Sequence, residues 1–316
     1  MGSLTVLPKL LVVDFNKDGM KPGTSSWISA GKDIRQALEQ HGCFVALYDG
    51  ISSDLNDRIF HSADDLFNLP LETKLKNING KPYHGYVGQI PIVPLHEGLG
   101  MDYATTLEGA QSFTDIMWPN GNESFCTTSV EFARSVAKLD HIVIKMLFGS
   151  YGLDEMYTDA HIESSTYLLR YLKYRAPEAD ESNNAFPSHT DKSFITILYQ
   201  NQVSGLEIRT RDGDWIDVEF PPSSFVVMAG DACKGWSNGR VLSPSHRVTL
   251  NKEGKGTRYT IALFSFLSKI VQVPEEMIDE ENPLQFKPFE NVDLLNFYAT
   301  EAGRRSQDIL KDFCGV

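Results

Sequence analysis

The chain has 316 residues, 41% hydrophobic and 22% charged, with 29 Lys and Arg against 42 Asp and Glu for a formal net charge of −13. That is ordinary globular composition, with enough chain to bury one large core or two, and an acidic balance with no local Lys/Arg cluster excludes the electrostatic footprint of a nucleic-acid binder. Cys43, Cys126, Cys233 and Cys314 lie far apart with no CxxC pair; they read as reduced thiols of a cytoplasmic protein rather than as a disulfide framework or zinc site.

Along the chain, the apolar run Leu10–Val13 is too short for a signal peptide or membrane span. Trp27, Ala30, Ile34, Ala37 and Leu38 fall on one helical face, with Gly42 as a stop signal. A short strand is expected at Phe44–Tyr48. A second helix carries Leu55, Ile59, Ala63, Leu66 and Phe67 and ends at Pro70. Asn77–Gly100 is rich in Gly, Pro and aromatic residues and reads as an ordered loop, either a plain connector or a pocket wall. Phe113–Trp118 is a further candidate pocket loop. A longer helix is expected over about 127–150.

From Tyr167 the pattern turns to strands: Tyr167–Tyr174, Phe194–Gln200, Leu206–Thr210, Trp215–Phe220, Ser224–Met228, His246–Leu250 and Arg258–Phe266. Turn signals separate several of them, among them Arg211-Asp212-Gly213-Asp214, Pro221-Pro222 and Gly254-Lys255-Gly256. Many short strands at this spacing suggest an antiparallel sandwich or barrel, of which the double-sheet jelly roll is one solution. The expected organisation is a mainly helical region over residues 1–160 and a β core with a C-terminal tail over 161–316.

Three side chains carry the first chemical signal. His189 and Asp191 lie two residues apart, so in an extended chain both point to one face. His246, on a later strand, could add a second imidazole. Two histidines and a carboxylate on one side of a metal leave the opposite positions open, which suits iron(II); zinc accepts the same donors. Taken alone, His189 in the His-Thr-Asp triplet reads as a solvated turn or a structural hydrogen bond, and His246, beside Arg247, as a surface residue.

A second signal lies in the strand from Arg258. Alternation puts Arg258, Thr260, Ala262, Phe264 and Phe266 on one face. A guanidinium among phenylalanines needs a partner. It could be a bound carboxylate, held by two parallel hydrogen bonds with a hydroxyl two residues on as a third, or an Asp or Glu of the chain itself.

Several ordered blocks resemble those of the plant 2-oxoglutarate-dependent dioxygenases. They are Leu10-Leu11-Val12-Val13-Asp14-Phe15, Leu69-Pro70-Leu71-Glu72-Thr73-Lys74, His189-Thr190-Asp191, Gly230-Asp231 with Trp236-Ser237-Asn238-Gly239-Arg240, Ser243-Pro244-Ser245-His246-Arg247-Val248 and Arg258-Tyr259-Thr260. The resemblance implies an α+β protein with a double-stranded β-helix (jelly-roll) core wrapped by N-terminal helices. It implies His189, Asp191 and His246 as ligands of Fe(II), and Arg258 and Thr260 as the grip on the distal carboxylate of 2-oxoglutarate. Tyr174 would stand near the co-substrate, Phe264 would line the substrate pocket, and ascorbate would serve as reductant. Two positions depart from the family pattern: Thr260 stands where a serine is usual, and Leu172 where an asparagine often precedes the tyrosine. Lys81-Pro82-Tyr83-His84-Gly85-Tyr86, Trp118-Pro119-Asn120-Gly121-Asn122 and Gln200-Asn201-Gln202-Val203-Ser204-Gly205-Leu206 resemble the AOP-like branch, which implies specialised metabolism. The expected protein is a cytoplasmic monomer that takes a small organic substrate and molecular oxygen, with no nucleic-acid or membrane partner. A non-catalytic binder on the same fold, or an oxidase that does not use 2-oxoglutarate, are the alternatives.

Overall fold

In the computed structural model, residues 9–88, 90–252 and 256–316 are described. Twelve strands are assigned among them: β1 (Val12–Asp14), β2 (Cys43–Leu47), β3 (Val87–Gly88), β4 (His96–Asp102), β5 (Ser165–Tyr174), β6 (Asn184–His189), β7 (Ile195–Gln200), β8 (Leu206–Arg209), β9 (Trp215–Asp217), β10 (Ser224–Ala229), β11 (His246–Thr249) and β12 (Arg258–Leu267). They form an eight-stranded sheet in the order β1-β2-β10-β7-β12-β5-β4-β3 and a four-stranded sheet in the order β6-β11-β8-β9. All pairings are antiparallel except β1 with β2. The fold is the expected jelly-roll core with a helical wrapping. Strands β1 to β4, from the first half of the chain, nevertheless belong to the larger sheet.

The central strands of the large sheet are covered on both faces, and the sequence shows why. In β7 every residue is buried. Ile197 and Tyr199 pack on one side with Leu169, Tyr171, Phe225, Val227, Ile261 and Leu263 against the helices. Leu198 packs on the other with Val45, Val226, Met228 and Ala262 against Leu206, Ile208 and Ile216 of the small sheet. A strand buried on both faces reads as a continuous apolar run rather than an alternation.

The helical layer rests on the helix Glu123–Ser150, capped by the Asn122 side chain, which accepts from the Phe125 amide. Phe125, Phe132, Val136, Leu139, Val143 and Leu147 bury its core-facing stripe. The helices Ser25–Gln40 and Ser53–Phe67 pack against it, each opened by a hydroxyl cap, Thr24 and Ser52. No described helix is long and apolar enough to cross a membrane.

Two expectations are corrected. Asn77–Gly100 is not all loop: β4 pairs with β5 from His96↔Tyr174 to Asp102↔Leu168. Glycines at 98 and 100 hide the strand, because glycine in a strand interior weakens the pattern. A Cβ at Gly100 would stand 2.0 Å from the His84 carbonyl oxygen, where the preceding segment crosses the strand. Phe113–Trp118 is not a loop either; Phe113–Met117 closes the helix Leu107–Met117, with Ala110, Phe113, Thr114 and Met117 buried. The turn expected at Gly254-Lys255-Gly256 falls largely on residues 253–255, outside the described residues.

Candidate active site

Strand pairing brings the three metal-ligand candidates together. His189 ends β6 and His246 opens β11, and the two are direct cross-strand partners. Their rings lie 4.2 Å apart between centroids. Asp191 follows two residues after His189, and its Oδ1 is 3.6 Å from His189 Nε2 and 3.8 Å from His246 Nε2. One donor atom from each of the three lies within 4.8 Å of the others.

Each donor is aimed by a neighbour. The Nδ1 of His189 lies 3.0 Å from the Pro187 carbonyl oxygen and that of His246 lies 3.3 Å from the Pro244 carbonyl oxygen. A ring that donates from Nδ1 to a carbonyl keeps a lone pair on Nε2, the arrangement of metal-binding imidazoles. The Asp191 Oδ2 accepts from the Thr196 hydroxyl at 2.7 Å. Burial pushes His189 down to about 4, with the His246 charge acting in the same direction, so this ring is neutral at physiological pH. Burial alone would raise the Asp191 carboxyl, yet His246, His189 and the Thr196 hydroxyl together hold it below the usual carboxylate range. A neutral His189 ring beside an ionised Asp191 carboxylate is the protonation state a divalent metal requires of these donors. The turn itself is pinned by a buried pair, Lys192 Nζ to Asp231 Oδ2 at 2.7 Å, with Thr190 donating to the same carboxylate. The donor set therefore fits an iron(II) ion.

Thr196 was not foreseen from the sequence. Thr196→Val keeps the shape and removes the hydroxyl that orients the carboxylate. It is expected to weaken metal binding by roughly 10- to 100-fold, measured by competition with a chelator whose colour reports free iron(II).

The second constellation lies on the large sheet, at the start of β12. Arg258 opens β12, pairs with Tyr174 and is 1% exposed. Its Nη2 donates to Gln200 Oε1 at 2.7 Å, and its guanidinium carbon stands 5.1 Å from the Tyr174 ring centroid. Its Nε has no partner, and neither has the buried Thr260 hydroxyl. Among the described residues no carboxylate lies within ion-pair distance of Arg258, so the internal salt bridge is not what holds it. Burial lowers its proton affinity. A cation taken out of water without a counter-charge costs several kcal/mol, which a carboxylate ligand would offset. These unpartnered donors fit the distal carboxylate of 2-oxoglutarate.

Tyr174 is buried, and burial raises its hydroxyl pKa. Leu172 joins the apolar lining. Phe264 is half-buried and pairs with Thr196 on β7 and Leu168 on β5, on the same face as Arg258. His96, which from the sequence reads by default as structural or surface with a substrate contact as the alternative, has its ring 4.8 Å from that of Tyr174 and 4.9 Å from that of Phe186, itself 5.0 Å from His189. Arg170 on β5 was not foreseen from the sequence; counting back from Tyr174 in steps of two would have put it on the inner face.

A jelly roll with two imidazoles and one carboxylate at a strand junction, and a free guanidinium deeper in, defines the class: a non-haem iron oxygenase scaffold. Residues 163–266 match the 2OG-Fe(II) oxygenase superfamily, and residues 11–94 the N-terminal domain of non-haem dioxygenases in morphine synthesis. The "Probable 2-oxoglutarate-dependent dioxygenase AOP1.2" of Arabidopsis thaliana is 43% identical, over 96% of this chain and 95% of that protein. Among solved structures, the Arabidopsis dioxygenase for auxin oxidation 1 in complex with 2-oxoglutarate superposes with a TM-score of 0.77 at 27% identity, covering 87% of this chain and 99% of that one. The rice dioxygenase for auxin oxidation does so with 0.81 at 25%, covering 97% and 100%. The chain belongs to the 2-oxoglutarate- and iron(II)-dependent dioxygenase family and is an oxidoreductase of that reaction class.

Proposed function

We propose that His189, Asp191 and His246 hold the iron, that Arg258 and Thr260 bind the distal carboxylate of 2-oxoglutarate, and that Tyr174 packs beside it. The substrate is a small specialised metabolite, oxidised at a C–H bond next to Phe264 by hydroxylation, desaturation, demethylation or ring closure. The observation that carries this reading is the pair of buried, unpartnered donors, Arg258 Nε and Thr260 Oγ1, in the same fold as the His–Asp–His cluster and linked to it through the ring contacts of Tyr174, His96 and Phe186.

When bound, iron(II), 2-oxoglutarate and oxygen supply the oxidising power, with succinate and carbon dioxide as the co-products. The chain's own residues orient and enclose. Thr196 and the Pro187 and Pro244 carbonyls fix the ligand geometry. Arg258 neutralises the distal carboxylate and so sets which end of the co-substrate faces the metal. The apolar lining of Leu172, Leu198 and Ala262 keeps water from the reacting centre. Ascorbate is the proposed reductant, the cytoplasm the proposed compartment and the monomer the proposed state.

The test is incubation with iron(II), ascorbate, 2-oxoglutarate and a plant metabolite pool, with succinate and products read by mass spectrometry. Succinate formation that rises with the pool, together with products gaining an oxygen atom or losing two hydrogens, is the expected result. Products without succinate would replace this reading with an oxidase that does not use 2-oxoglutarate. Binding of iron and 2-oxoglutarate with neither product nor succinate would leave a non-catalytic binder.

A further inference from the structure

The large sheet carries a second buried arginine that the proposed reaction leaves unused. Arg170 lies on β5 four residues before Tyr174, so both side chains point to the inner face. Its cross-strand neighbours are Ala262 on β12 and Gly100 on β4. It therefore sits between the Arg258/Thr260 end of the inner row and the Phe264/Phe266 end. Four residues of strand separate it from the Tyr174–Arg258 pair, about 13 Å along the backbone.

Arg170 is 8% exposed, and among the described residues it too has no carboxylate within ion-pair distance. Nη1 donates to the carbonyl oxygens of Tyr83 and Gly85. Among the described residues neither Nε nor Nη2 has a hydrogen-bond partner. Two carbonyl dipoles tether the segment above but do not neutralise a full charge. A guanidinium has five N–H donors in a fixed fork, and the Nε/Nη2 edge is the one that binds a carboxylate through two parallel bonds.

The Nη2 end of that edge is accommodated by a glycine. Gly98 faces it from β4, and a Cβ there would stand 2.9 Å from Arg170 Nη2 and 3.1 Å from His96 Nε2. The guanidinium and the imidazole thus share the ground above one glycine. His96 is 3% exposed and its Nδ1 has no partner. Burial, with the positive charge of Arg170 next, pushes this ring down to about 3, so it is a neutral donor or acceptor. The imidazole thus presents Nε2 beside the guanidinium, with its unpartnered Nδ1 on the far side of the ring.

We propose that Arg170, assisted by His96, anchors a carboxylate of the organic substrate, so that the enzyme acts on carboxylic acids. This rests on the reading above that Arg258 takes the distal carboxylate of 2-oxoglutarate. Holding the acid at Arg170 would place the remainder of the substrate along Phe264 and Phe266, towards His189 and Asp191. The segment Tyr83–Gly85, held by Nη1, would close over the acid group.

The test is calorimetric titration, without oxygen, of the protein loaded with manganese(II) and 2-oxoglutarate. The probes are 3-phenylpropanoate and hexanoate, each against its amide. The acids are expected to bind roughly ten- to hundredfold more tightly than the amides, the worth of a charge-assisted hydrogen-bonded pair. Arg170→Gln should abolish that preference, and Arg170→Lys, which keeps the charge without the fork, should retain part of it. Both variants should bind 2-oxoglutarate as the wild type does, whereas Arg258→Gln should lose it. Acids bound no better than amides by the wild type, or a preference that survives Arg170→Gln, would overturn the proposal. So would a loss of 2-oxoglutarate binding in Arg170→Gln, which would make Arg170 a co-substrate contact. Failure of Arg258→Gln to affect 2-oxoglutarate would instead strike the reading on which the proposal stands.

Discussion

Asp191→Ala is expected to lower 2-oxoglutarate turnover by roughly 10³-fold or more, a loss of about 4 kcal/mol of transition-state stabilisation. The carboxylate is the only acidic side chain in the cluster, and the two donors left behind are imidazoles. A divalent ion then loses both a bond and its charge partner. Iron content after desalting, measured by elemental analysis, should fall in parallel with succinate formation. Asp191→Glu retains the charge but carries it about one methylene further out. A misplacement of about 1 Å can cost on the order of 10²-fold in rate, so this variant should keep more iron than activity. Wild-type turnover in Asp191→Ala would remove Asp191 from the metal site.

Arg258→Gln separates co-substrate binding from metal binding. Removing one partner of a buried, hydrogen-bonded charge pair costs about 2–5 kcal/mol, so 2-oxoglutarate should bind roughly 10²-fold more weakly or worse. Iron retention should be nearly unchanged, because Arg258 contacts Gln200 and Tyr174 rather than the ligands. The unliganded variant carries a further expectation. Without 2-oxoglutarate the guanidinium is buried with no carboxylate near it, a cost to the folded state. The unliganded variant should therefore unfold at a temperature no lower than the unliganded wild type. The wild type alone should be strongly stabilised by co-substrate, by about 2.7 kcal/mol at a hundredfold excess over its dissociation constant. Equal stabilisation of both proteins, read by thermal unfolding with and without 2-oxoglutarate, would dismiss Arg258 as the anchor.

The amino-acid order alone determined what repeats locally. The alternation Arg258, Thr260, Ala262, Phe264, Phe266 and the two-residue step from His189 to Asp191 are properties of single extended segments, and both are present in the fold. The long helix was legible from its apolar stripe for the same reason. What the tertiary structure decided were relations between segments. His246 meets His189 only through the pairing of β11 with β6, which no spacing rule within either strand encodes. With 42 acidic residues in the chain, only the packed arrangement reveals that none of the described ones neutralises Arg258 or Arg170. The strand His96–Asp102 escaped notice because Gly98 and Gly100 are small to suit atoms from elsewhere, the Arg170 guanidinium and the His84 carbonyl. Side-chain period is written into each stretch of backbone by its own geometry, whereas register, counter-charge and empty space depend on what the rest of the chain brings alongside.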